Sequence, residues 1–435
     1  MSRAEVRAVE ELRPAVRVEG SIRVPGDKSI AHRALILGAL AAGTSVTRGV
    51  PLGEDVQATA TCVAALGVDV ARDGDRVTVR SGGMTSWRTP ASVLDCANSG
   101  TTLRLLTGAL AGSQVVATLT GDASLRRRPM GRVVDPLRAM GAQIESHDGR
   151  APLTVEGTPL NGRPHVLVVP SAQVKSALLL AGLHASGPTS VSEPLPSRDH
   201  TERLLRAAGA RLESRGGELV LEPSDQPLQP LTLDVPGDFS SAAFFLAAAA
   251  VRPGWSLTVQ NVGLNPTRTA FLKVLTRMGA DVRVTRESSP DFEPRGDVTV
   301  VGAHLRNVTI DRAEVAGAMD EIPVLLVLAS QADGVFDLGG AGELRVKESD
   351  RLSAMSAGLR AMGATVEERQ DGLRLRGRVS LRGVEIDSHG DHRIAMAFAV
   401  ASLVADAPTH IVGSACVAIS YPGFFDRLAE IAHGS

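Results

Sequence analysis

The sequence is poor in aromatic residues, in cysteine and in net charge. Its 435 residues include 2 Trp, 1 Tyr and 9 Phe, so we do not expect a module that stacks nucleic-acid bases on aromatic side chains. Its three cysteines form no C-x-x-C pair, which argues against a disulfide framework or a cysteine zinc site and indicates a reducing compartment. The formal net charge of −2 excludes a general polyanion binder.

Long apolar runs are also missing. A membrane-spanning helix needs about 18 consecutive apolar residues, and every such window here contains a charge or a helix breaker. The first 17 residues are rich in Glu and Arg and contain no apolar run, so we expect no secretory signal and a cytoplasmic location. At about 150 residues per domain, the length predicts two to three domains.

What the sequence does have is an internal repeat. Six small-residue apolar stretches, 67 to 80 residues apart, each follow a polar cluster and predict buried helices. Between them, a second helix type ends in Leu, Met or Ala before Gly and a short strand, as at Gly67, Gly141, Gly209, Gly279 and Gly363. The predicted core helices are Ser29–Ala42, Gly100–Ala111, Ala172–Ala185, Ser240–Val251, Ile322–Gln331 and His392–Ala405.

A repeated tetrapeptide suggests how the repeats divide into lobes. Val-Pro-Gly-Asp occurs at Val24–Asp27 and at Val235–Asp238, each time just before a core helix. We therefore expect hinge crossovers near 24–27 and 235–238, an N-terminal lobe of three repeats (24–238), and a C-terminal lobe of three repeats (1–23 plus 239–435). The alternative is that both tetrapeptides are ordinary turns.

Cations stand at several of the predicted helix starts. Helix capping explains Ser, Asn and Asp there, Asp238 above all. It does not explain Lys28 or Arg393, because the positive end of a helix disfavours cations. A cation at that place suggests an anion held by both the helix and the side chain. Further cation clusters lie at 126–128, 197–200 and 347–351, and each alone could be a solvated face.

Taken together, the clusters predict a positive cleft for a small substrate carrying phosphates and carboxylates. Asp320 and Glu348 would be two acids among the cations of that cleft, and they would serve as general base and general acid. The alternative is that Asp320 caps a helix and Glu348 pairs with Arg351. A P-loop is rejected because the glycines around Lys28 do not fit, and neither a metal-ligand spacing nor a G-x-S-x-G turn is present.

Nine stretches together resemble the family of 5-enolpyruvylshikimate-3-phosphate synthases. The resemblance covers Val24 to about Phe425 and implies an α/β fold of two similar lobes, each of three βαβαββ repeats, of the inside-out α/β barrel type, joined by two crossovers. The matching stretches are VPGDKSIAHRA (24–34), DCANSGTTLRLL (95–106), GDASLRRRPMGR (121–132), SAQVKSALLLAG (171–182), SRDHTE (197–202), NPTRT (265–269), DEIP (320–323), LRVKESDRL (344–352) and GDHRIAM (390–396).

The resemblance also implies the reaction and the site. The enolpyruvyl group of phosphoenolpyruvate would pass to the 5-hydroxyl of shikimate 3-phosphate by addition and elimination, with no metal or organic cofactor. Asp320, Glu348 and Lys28 would be catalytic. Shikimate 3-phosphate would contact Lys28, Ser29, Arg33, Ser171, Ala172, Gln173, Arg198, Asp320 and Lys347. Phosphoenolpyruvate would contact Lys28, Gly100, Arg128, Gln173, Arg351 and Arg393.

The sequence departs from the family pattern at three places. Ala31 replaces a usual Ser, Ala97 replaces a usual Gly, and no Lys stands just before Tyr421-Pro422. Gly100 is kept, and the resemblance implies that an Ala there would narrow the space used by the herbicide glyphosate. We therefore expect a glyphosate-sensitive site, with Ala97 able to alter affinity.

Two other functions stay open from the residues alone. One is the sister enolpyruvyl transferase that acts on UDP-N-acetylglucosamine, although the loop Ser124–Arg128 lacks the reactive Cys typical of that enzyme. The other is a non-catalytic anion-binding repeat protein. In each case we expect small anionic partners, no nucleic acid, no membrane and a monomer.

Overall fold

The computed structural model describes residues 8–287 and 292–433. Residues 1–7, on which the expectation of no secretory signal partly rests, lie outside this range. The chain forms two compact units. The N-terminal unit comprises residues 26–235 together with Phe292 and Glu293, and the C-terminal unit comprises the other described residues. The divisions predicted from the sequence, at 24 and 238, lie two and three residues from these bounds.

Within the described residues, the helices in chain order are α1 (Lys28–Leu40), α2 (Glu54–Ala65), α3 (Gly100–Ala111), α4 (Ala123–Arg127), α5 (Gly131–Ala139), α6 (Ala172–Gly182), α7 (His200–Ala207), α8 (Phe239–Ala250), α9 (Ala270–Met278), α10 (Arg312–Gly317), α11 (Ile322–Gln331), α12 (Arg351–Ala361), α13 (His392–Ser402) and α14 (Phe424–Ile431). Short 3₁₀ helices cover Met84–Ser86, Gly342–Val346 and Ser414–Ile419.

The strands of the described residues are β1 (Val9–Leu12), β2 (Arg17–Arg23), β3 (Ala42–Arg48), β4 (Asp69–Asp73), β5 (Arg76–Gly82), β6 (Leu94–Asp95), β7 (Val116–Thr120), β8 (Gln143–His147), β9 (Arg150–Glu156), β10 (Pro164–Val166), β11 (Thr189–Ser192), β12 (Arg211–Arg215), β13 (Glu218–Glu222), β14 (Thr232–Asp234), β15 (Ser256–Gly263), β16 (Asp281–Arg286), β17 (Arg295–Val301), β18 (Val335–Leu338), β19 (Val366–Arg369), β20 (Gly372–Arg376), β21 (Glu385–Asp387), β22 (Thr409–Val412) and β23 (Ala432–His433).

In the residues that the structure describes, each unit contains three sheets, so the predicted α/β class with repeated sheet units is confirmed. The N-terminal unit has the strand orders β14-β3-β5-β4, β6-β7-β9-β8 and β10-β11-β13-β12. In each sheet the first pair is parallel and the others are antiparallel. Parallel neighbours need a crossover, and α3 and α6 supply it for β6–β7 and β10–β11.

The sheets of the C-terminal unit have the orders β16-β17-β15-β2-β23, β18-β20-β19 and β1-β22-β21. Strand β2, from the start of the chain, pairs in parallel with β15 over Glu19–Arg23 and Ser256–Gln260. In the N-terminal unit, β14 comes last in the chain and pairs in parallel with β3 from its start. In each unit, therefore, one sheet contains two parallel neighbouring strands that lie far apart in the sequence.

The six apolar helices lie in the cores. Every residue of α8 and of α13 is buried, and α1, α3, α6 and α11 are buried over most of their length. Each unit has its own hydrophobic cluster, one around α8, α11 and α13 and the other around α1, α3 and α6. In the part of the chain that the structure describes, no helix has the length and apolarity needed to cross a bilayer.

Three predicted helix ends lie two or three residues beyond the observed ones. Helix α1 ends at Leu40, before the predicted Ala42. Helices α6 and α13 end at Gly182 and Ser402, before the predicted Ala185 and Ala405, because the apolar pattern continues past the last turn. The arginines at 126–128 precede Pro129 and helix α5, as predicted, and they also lie at the end of α4. Helix α4 ends at Arg127, and Arg128 is its C-cap residue, a place where the helix dipole favours cations.

Candidate active site

The start of α1 places Lys28 beside a carboxylate. The Asp27 side chain accepts a hydrogen bond from the Ile30 amide and caps the helix. The Lys28 Nζ atom lies 3.2 Å from Asp55 Oδ2, at the first turn of α2. Asp55 therefore explains how the protein tolerates a cation at the positive end of α1. This partner was not predicted from the sequence.

Arg33 is buried one turn further along α1. Its Nε donates to Thr201 Oγ1 at 2.6 Å, one Nη to Ser176 Oγ at 3.1 Å, and the other Nη to the Ser29 carbonyl at 2.8 Å. Burial lowers the pKa of Arg33 to about 10, with the charge of Arg198 acting in the same direction and that of Glu202 against it. Arg33 thus joins three predicted substrate segments: the start of α1, the start of α6 and the start of α7.

A second group surrounds the start of α3. Ser99 caps the helix by accepting from the Thr102 amide. Arg128 is 8% exposed and donates through Nη2 to Asn98 Oδ1 at 2.6 Å. Asn98 in turn donates to Asp122 Oδ2 at 2.6 Å. The predicted contacts Gly100 and Arg128 therefore lie together, because a Cβ on Gly100 would be 3.1 Å from Arg128 Nη1.

The start of α6 joins this group through Gln173. Ser171 caps α6 by accepting from the Val174 amide, and Ala172 is the first helical residue. The Gln173 side chain accepts from Arg104 Nη1 at 2.5 Å and donates to Thr101 Oγ1 at 2.9 Å. Arg104 was not predicted as a site residue, although it lies in one of the matching stretches.

In the C-terminal unit, Arg351 is the centre of the candidate site. It is 1% exposed, at the first residue of α12. Its guanidinium contacts Asp391 Oδ2 at 2.8 Å, Asp320 Oδ1 at 3.5 Å and the Glu348 carboxylate. Burial opposes the charged form, but the charges of Asp391 and Glu348 outweigh burial and raise the pKa of Arg351.

Asp320 lies between two arginines rather than at a helix cap. Arg393 Nη2 is 3.5 Å from Asp320 Oδ2, and Arg393 Nη1 donates to the Asp320 carbonyl at 3.1 Å. The N-cap residue of α11 is Glu321, so the capping interpretation of Asp320 was wrong. The alternative prediction for Glu348, an ion pair with Arg351, is confirmed. That pairing and the predicted proton transfer are compatible.

The structure brings together four predicted residues of the C-terminal unit: Asp320, Glu348, Arg351 and Arg393. Lys347 precedes Glu348 directly, after the 3₁₀ helix Gly342–Val346. Asp391 was missed as a site residue. The sequence signal for Asp391 was its place directly before a predicted core helix. Asp391 does cap α13, because its side chain accepts a hydrogen bond from the Arg393 amide. Its bond to Arg351 spans 40 residues and has no local sequence signal.

One group of His and acidic side chains has the spacing of a metal site among the described residues: Asp199, His200 and Glu293. His200 Nδ1 lies 2.5 Å from Glu293 Oε1, a direct hydrogen bond that is shorter than an ion between the two atoms would allow. Asp199 accepts two hydrogen bonds from Arg203. At least one ligand atom of each of the three residues is therefore already engaged by a protein group.

Comparisons with known proteins show what the chain as a whole resembles. The profile of the family described as EPSP synthase (3-phosphoshikimate 1-carboxyvinyltransferase) matches residues 12–428. The 3-phosphoshikimate 1-carboxyvinyltransferase of Acidithiobacillus ferrooxidans is 50% identical over 414 residues, 95% of each chain. That of Herpetosiphon aurantiacus is 48% identical over 421 residues, 96% of this chain and 98% of the relative.

Solved structures give the same result. The EPSP synthase of Acinetobacter baumannii is 41% identical, with a TM-score of 0.86 over 98% of both chains. The enolpyruvyl transferase NikO of Streptomyces tendae is 18% identical, with a TM-score of 0.78 over 97% of both chains. At that identity the second likeness supports the fold alone.

Proposed function

Because the chain belongs to the EPSP synthase family, we propose that it transfers the enolpyruvyl group of phosphoenolpyruvate to the 5-hydroxyl of shikimate 3-phosphate and releases phosphate. One observation supports this function above the others. The buried Arg351 guanidinium contacts both acids that the reaction needs, Asp320 and Glu348. A protein that only bound anions would have no need of two carboxylates there, since they repel an anion.

The cations have the chemistry that both substrates require. Phosphate and carboxylate groups are held best by guanidinium groups, through charge-assisted hydrogen bonds. Arg33, Arg128, Arg351 and Arg393 are each less than a tenth exposed. Lys28, Ser29, Arg33, Ser171, Ala172, Gln173, Arg198, Asp320 and Lys347 bind shikimate 3-phosphate in this proposal. Lys28, Gly100, Arg128, Gln173, Arg351 and Arg393 bind phosphoenolpyruvate.

The reaction is an addition followed by an elimination. Asp320 accepts the proton of the 5-hydroxyl as its oxygen attacks C2 of phosphoenolpyruvate, and C3 gains a proton to give a tetrahedral intermediate. Loss of a proton from the new methyl group then expels phosphate and restores the double bond. Glu348 carries the proton to and from C3, while Lys28 and the arginines stabilise the negative charge of the leaving phosphate.

The proposed enzyme acts as a monomer in the cytoplasm. The described cysteines are free and buried, as suits a reducing compartment. Light scattering at working concentration tests the first statement, and a mass near 45.4 kDa is expected.

The direct test is to mix the protein with phosphoenolpyruvate and shikimate 3-phosphate, then measure released phosphate and the mass of the product. We expect equal amounts of phosphate and enolpyruvyl ether. Replacing shikimate 3-phosphate by UDP-N-acetylglucosamine should give none. Turnover with the nucleotide sugar would favour the sister transferase, and binding without turnover would favour a non-catalytic anion binder.

A further inference from the structure

We propose that Lys175 and Glu193, neither of them a predicted substrate contact, are positioning residues that orient Arg198 toward the phosphate of shikimate 3-phosphate. The proposal rests on the proposed function, which assigns that phosphate contact to Arg198. Arg198 lies on the segment 193–199, called here the arginine loop, which joins β11 to α7 in the N-terminal unit.

Glu193 holds the arginine loop from its first residue. Glu193 Oε1 accepts from the Ser197 amide at 2.8 Å, and both carboxylate oxygens lie within 2.9 Å of Ser197 Oγ. A carboxylate that accepts several hydrogen bonds fixes the donors more firmly than a neutral group does. The residue before Arg198 is therefore held by both its main chain and its side chain.

Lys175 holds the same residue from another direction. Its Nζ atom lies 2.7 Å from Glu193 Oε1 and 3.5 Å from the Ser197 carbonyl. That carbonyl belongs to the peptide plane that links Ser197 to Arg198. Because the peptide unit is planar, fixing its oxygen also fixes the direction in which the chain enters Arg198.

Lys175 also contacts a residue just beyond the other end of the arginine loop. Lys175 Nζ is also 2.7 Å from Glu202 Oε1, in the first turn of α7. All three side chains are deeply buried, with 6% of Lys175, 11% of Glu193 and 4% of Glu202 exposed. Burial alone would lower the pKa of Lys175, but the charges of Glu202 and Glu193 outweigh it and raise the pKa, so the lysine stays charged.

The position of this network connects it to the substrate residues. Lys175 follows Gln173 by two residues in α6, and the neighbouring Ser176 donates or accepts a hydrogen bond with Thr201 at 2.6 Å. Arg33 contacts both of these hydroxyls, and the charge of Arg198 reaches Arg33. The contacts of Lys175 and Glu193 converge on Ser197, the residue directly before Arg198. We therefore infer a role in orienting Arg198.

The test compares Glu193→Gln, which keeps the size of the side chain, with a matched control. Glu218→Gln removes a carboxylate that accepts from Ser190 on the same sheet, at 2.6 Å. Hydrogen–deuterium exchange over residues 193–200 should become faster in Glu193→Gln and stay unchanged in Glu218→Gln. Unchanged exchange in Glu193→Gln would overturn the positioning role, whether or not the protein is an active transferase.

Calorimetric titration with shikimate 3-phosphate tests the consequence. We expect Glu193→Gln to raise the Kd by about tenfold, with the KM for phosphoenolpyruvate within about twofold of wild type. In an Arg198→Ala background, Glu193→Gln should have no further effect on the Kd, because the residue acts through Arg198. An equal loss in both backgrounds contradicts the proposal.

Two outcomes separate this inference from the proposed function. If Arg198→Ala binds shikimate 3-phosphate as tightly as wild type, the assignment of the phosphate contact to Arg198 is wrong, and the exchange experiment alone decides on the network. If Glu193→Gln does not fold, Ser197→Ala replaces it. That variant removes only the hydroxyl held by Glu193 and should raise the Kd by about threefold. An unchanged Kd there overturns the proposal.

Discussion

Arg351 Nε lies 2.8 Å from Asp391 Oδ2, and both side chains are almost completely buried. The Asp391 carboxylate also caps α13 and accepts from Ser349. One acid therefore sets the position of α13, which carries Arg393 in its first turn, and of the guanidinium that contacts Asp320 and Glu348. Asp391 does not need to touch a substrate to control how one is bound.

We expect Asp391→Asn to weaken phosphoenolpyruvate binding while sparing shikimate 3-phosphate. An Asn keeps the shape of the side chain and can still cap the helix, but it removes the negative charge that pairs with Arg351. The KM for phosphoenolpyruvate should rise by about tenfold or more. Asp350→Asn is the control, since Asp350 caps α12 and pairs with Arg345 instead. Equal effects of the two variants on this KM would contradict the prediction.

Glu348→Gln should greatly lower turnover without removing substrate binding. The amide is the same size but cannot carry a proton to C3 of phosphoenolpyruvate. Loss of such a transition-state interaction corresponds to about 2–4 kcal/mol, or about 30- to 1,000-fold in kcat. Stopped assays give kcat, and titration of shikimate 3-phosphate gives its Kd, which should stay within about twofold. Wild-type turnover in this variant would refute the role of Glu348.

The buried helices were predictable from the sequence because their signal is local. Helix α3 begins and ends where predicted, and so does α11, because a capping residue or a short polar cluster meets an apolar run at each start. Helix ends were harder to predict from the sequence than helix starts, as α6 shows. There the apolar residues continue into the turn after Gly182, so composition alone does not mark the end.

The charge partners were not predictable, because they come from distant parts of the chain. Lys28 pairs with Asp55 across 27 residues, and Gln173 bonds with Arg104 across 69. Only the pair Glu348–Arg351 was predicted from the sequence, because residues three apart on a helix are neighbours. Motifs identify which residues carry chemistry. The side chains that hold them in place are known only once the sheets and helices are assembled.

Gly100→Ala should weaken the binding of phosphoenolpyruvate and of glyphosate. A Cβ at this position would lie 2.8 Å from Arg104 Nη1 and 3.1 Å from Arg128 Nη1, so at least one guanidinium must move. We expect competitive inhibition of wild type by glyphosate against phosphoenolpyruvate, and a KM for phosphoenolpyruvate raised by about tenfold in the variant. Gly339→Ala, with nothing near its Cβ, is the control. Non-competitive inhibition would contradict the expectation.

Ala97→Gly should stabilise the protein. Ala97 has a φ of 50°, in the left-handed region where a side chain is disfavoured. Its main chain is held there by bonds to Asp95 Oδ1 and from the Asp122 amide. We expect the free energy of unfolding to rise by about 0.5–1 kcal/mol, measured by denaturant titration. Ala64→Gly, exposed within α2, should instead lower it by about 1 kcal/mol.

His32 should make the protein less stable on mild acidification. Its Nδ1 lies 2.6 Å from Thr59 Oγ1. Burial, helped by the charges of Lys28 and Arg33, holds the pKa of His32 well below the ordinary 6.5. Between pH 6.5 and that lower pKa, the unfolded chain binds a proton that the folded chain does not, so stability falls as the pH falls.

His32→Asn removes this titration and keeps a polar atom near Thr59. From about pH 7 to about pH 5, the Tm of the variant should therefore fall less than that of wild type, whatever the difference between the two at pH 7. His147→Asn is the control, because that side chain is 81% exposed and should leave the pH dependence of Tm unchanged. Parallel pH profiles for wild type and His32→Asn would show that His32 binds its proton equally in both states, and that the buried contact with Thr59 does not exclude the charged ring.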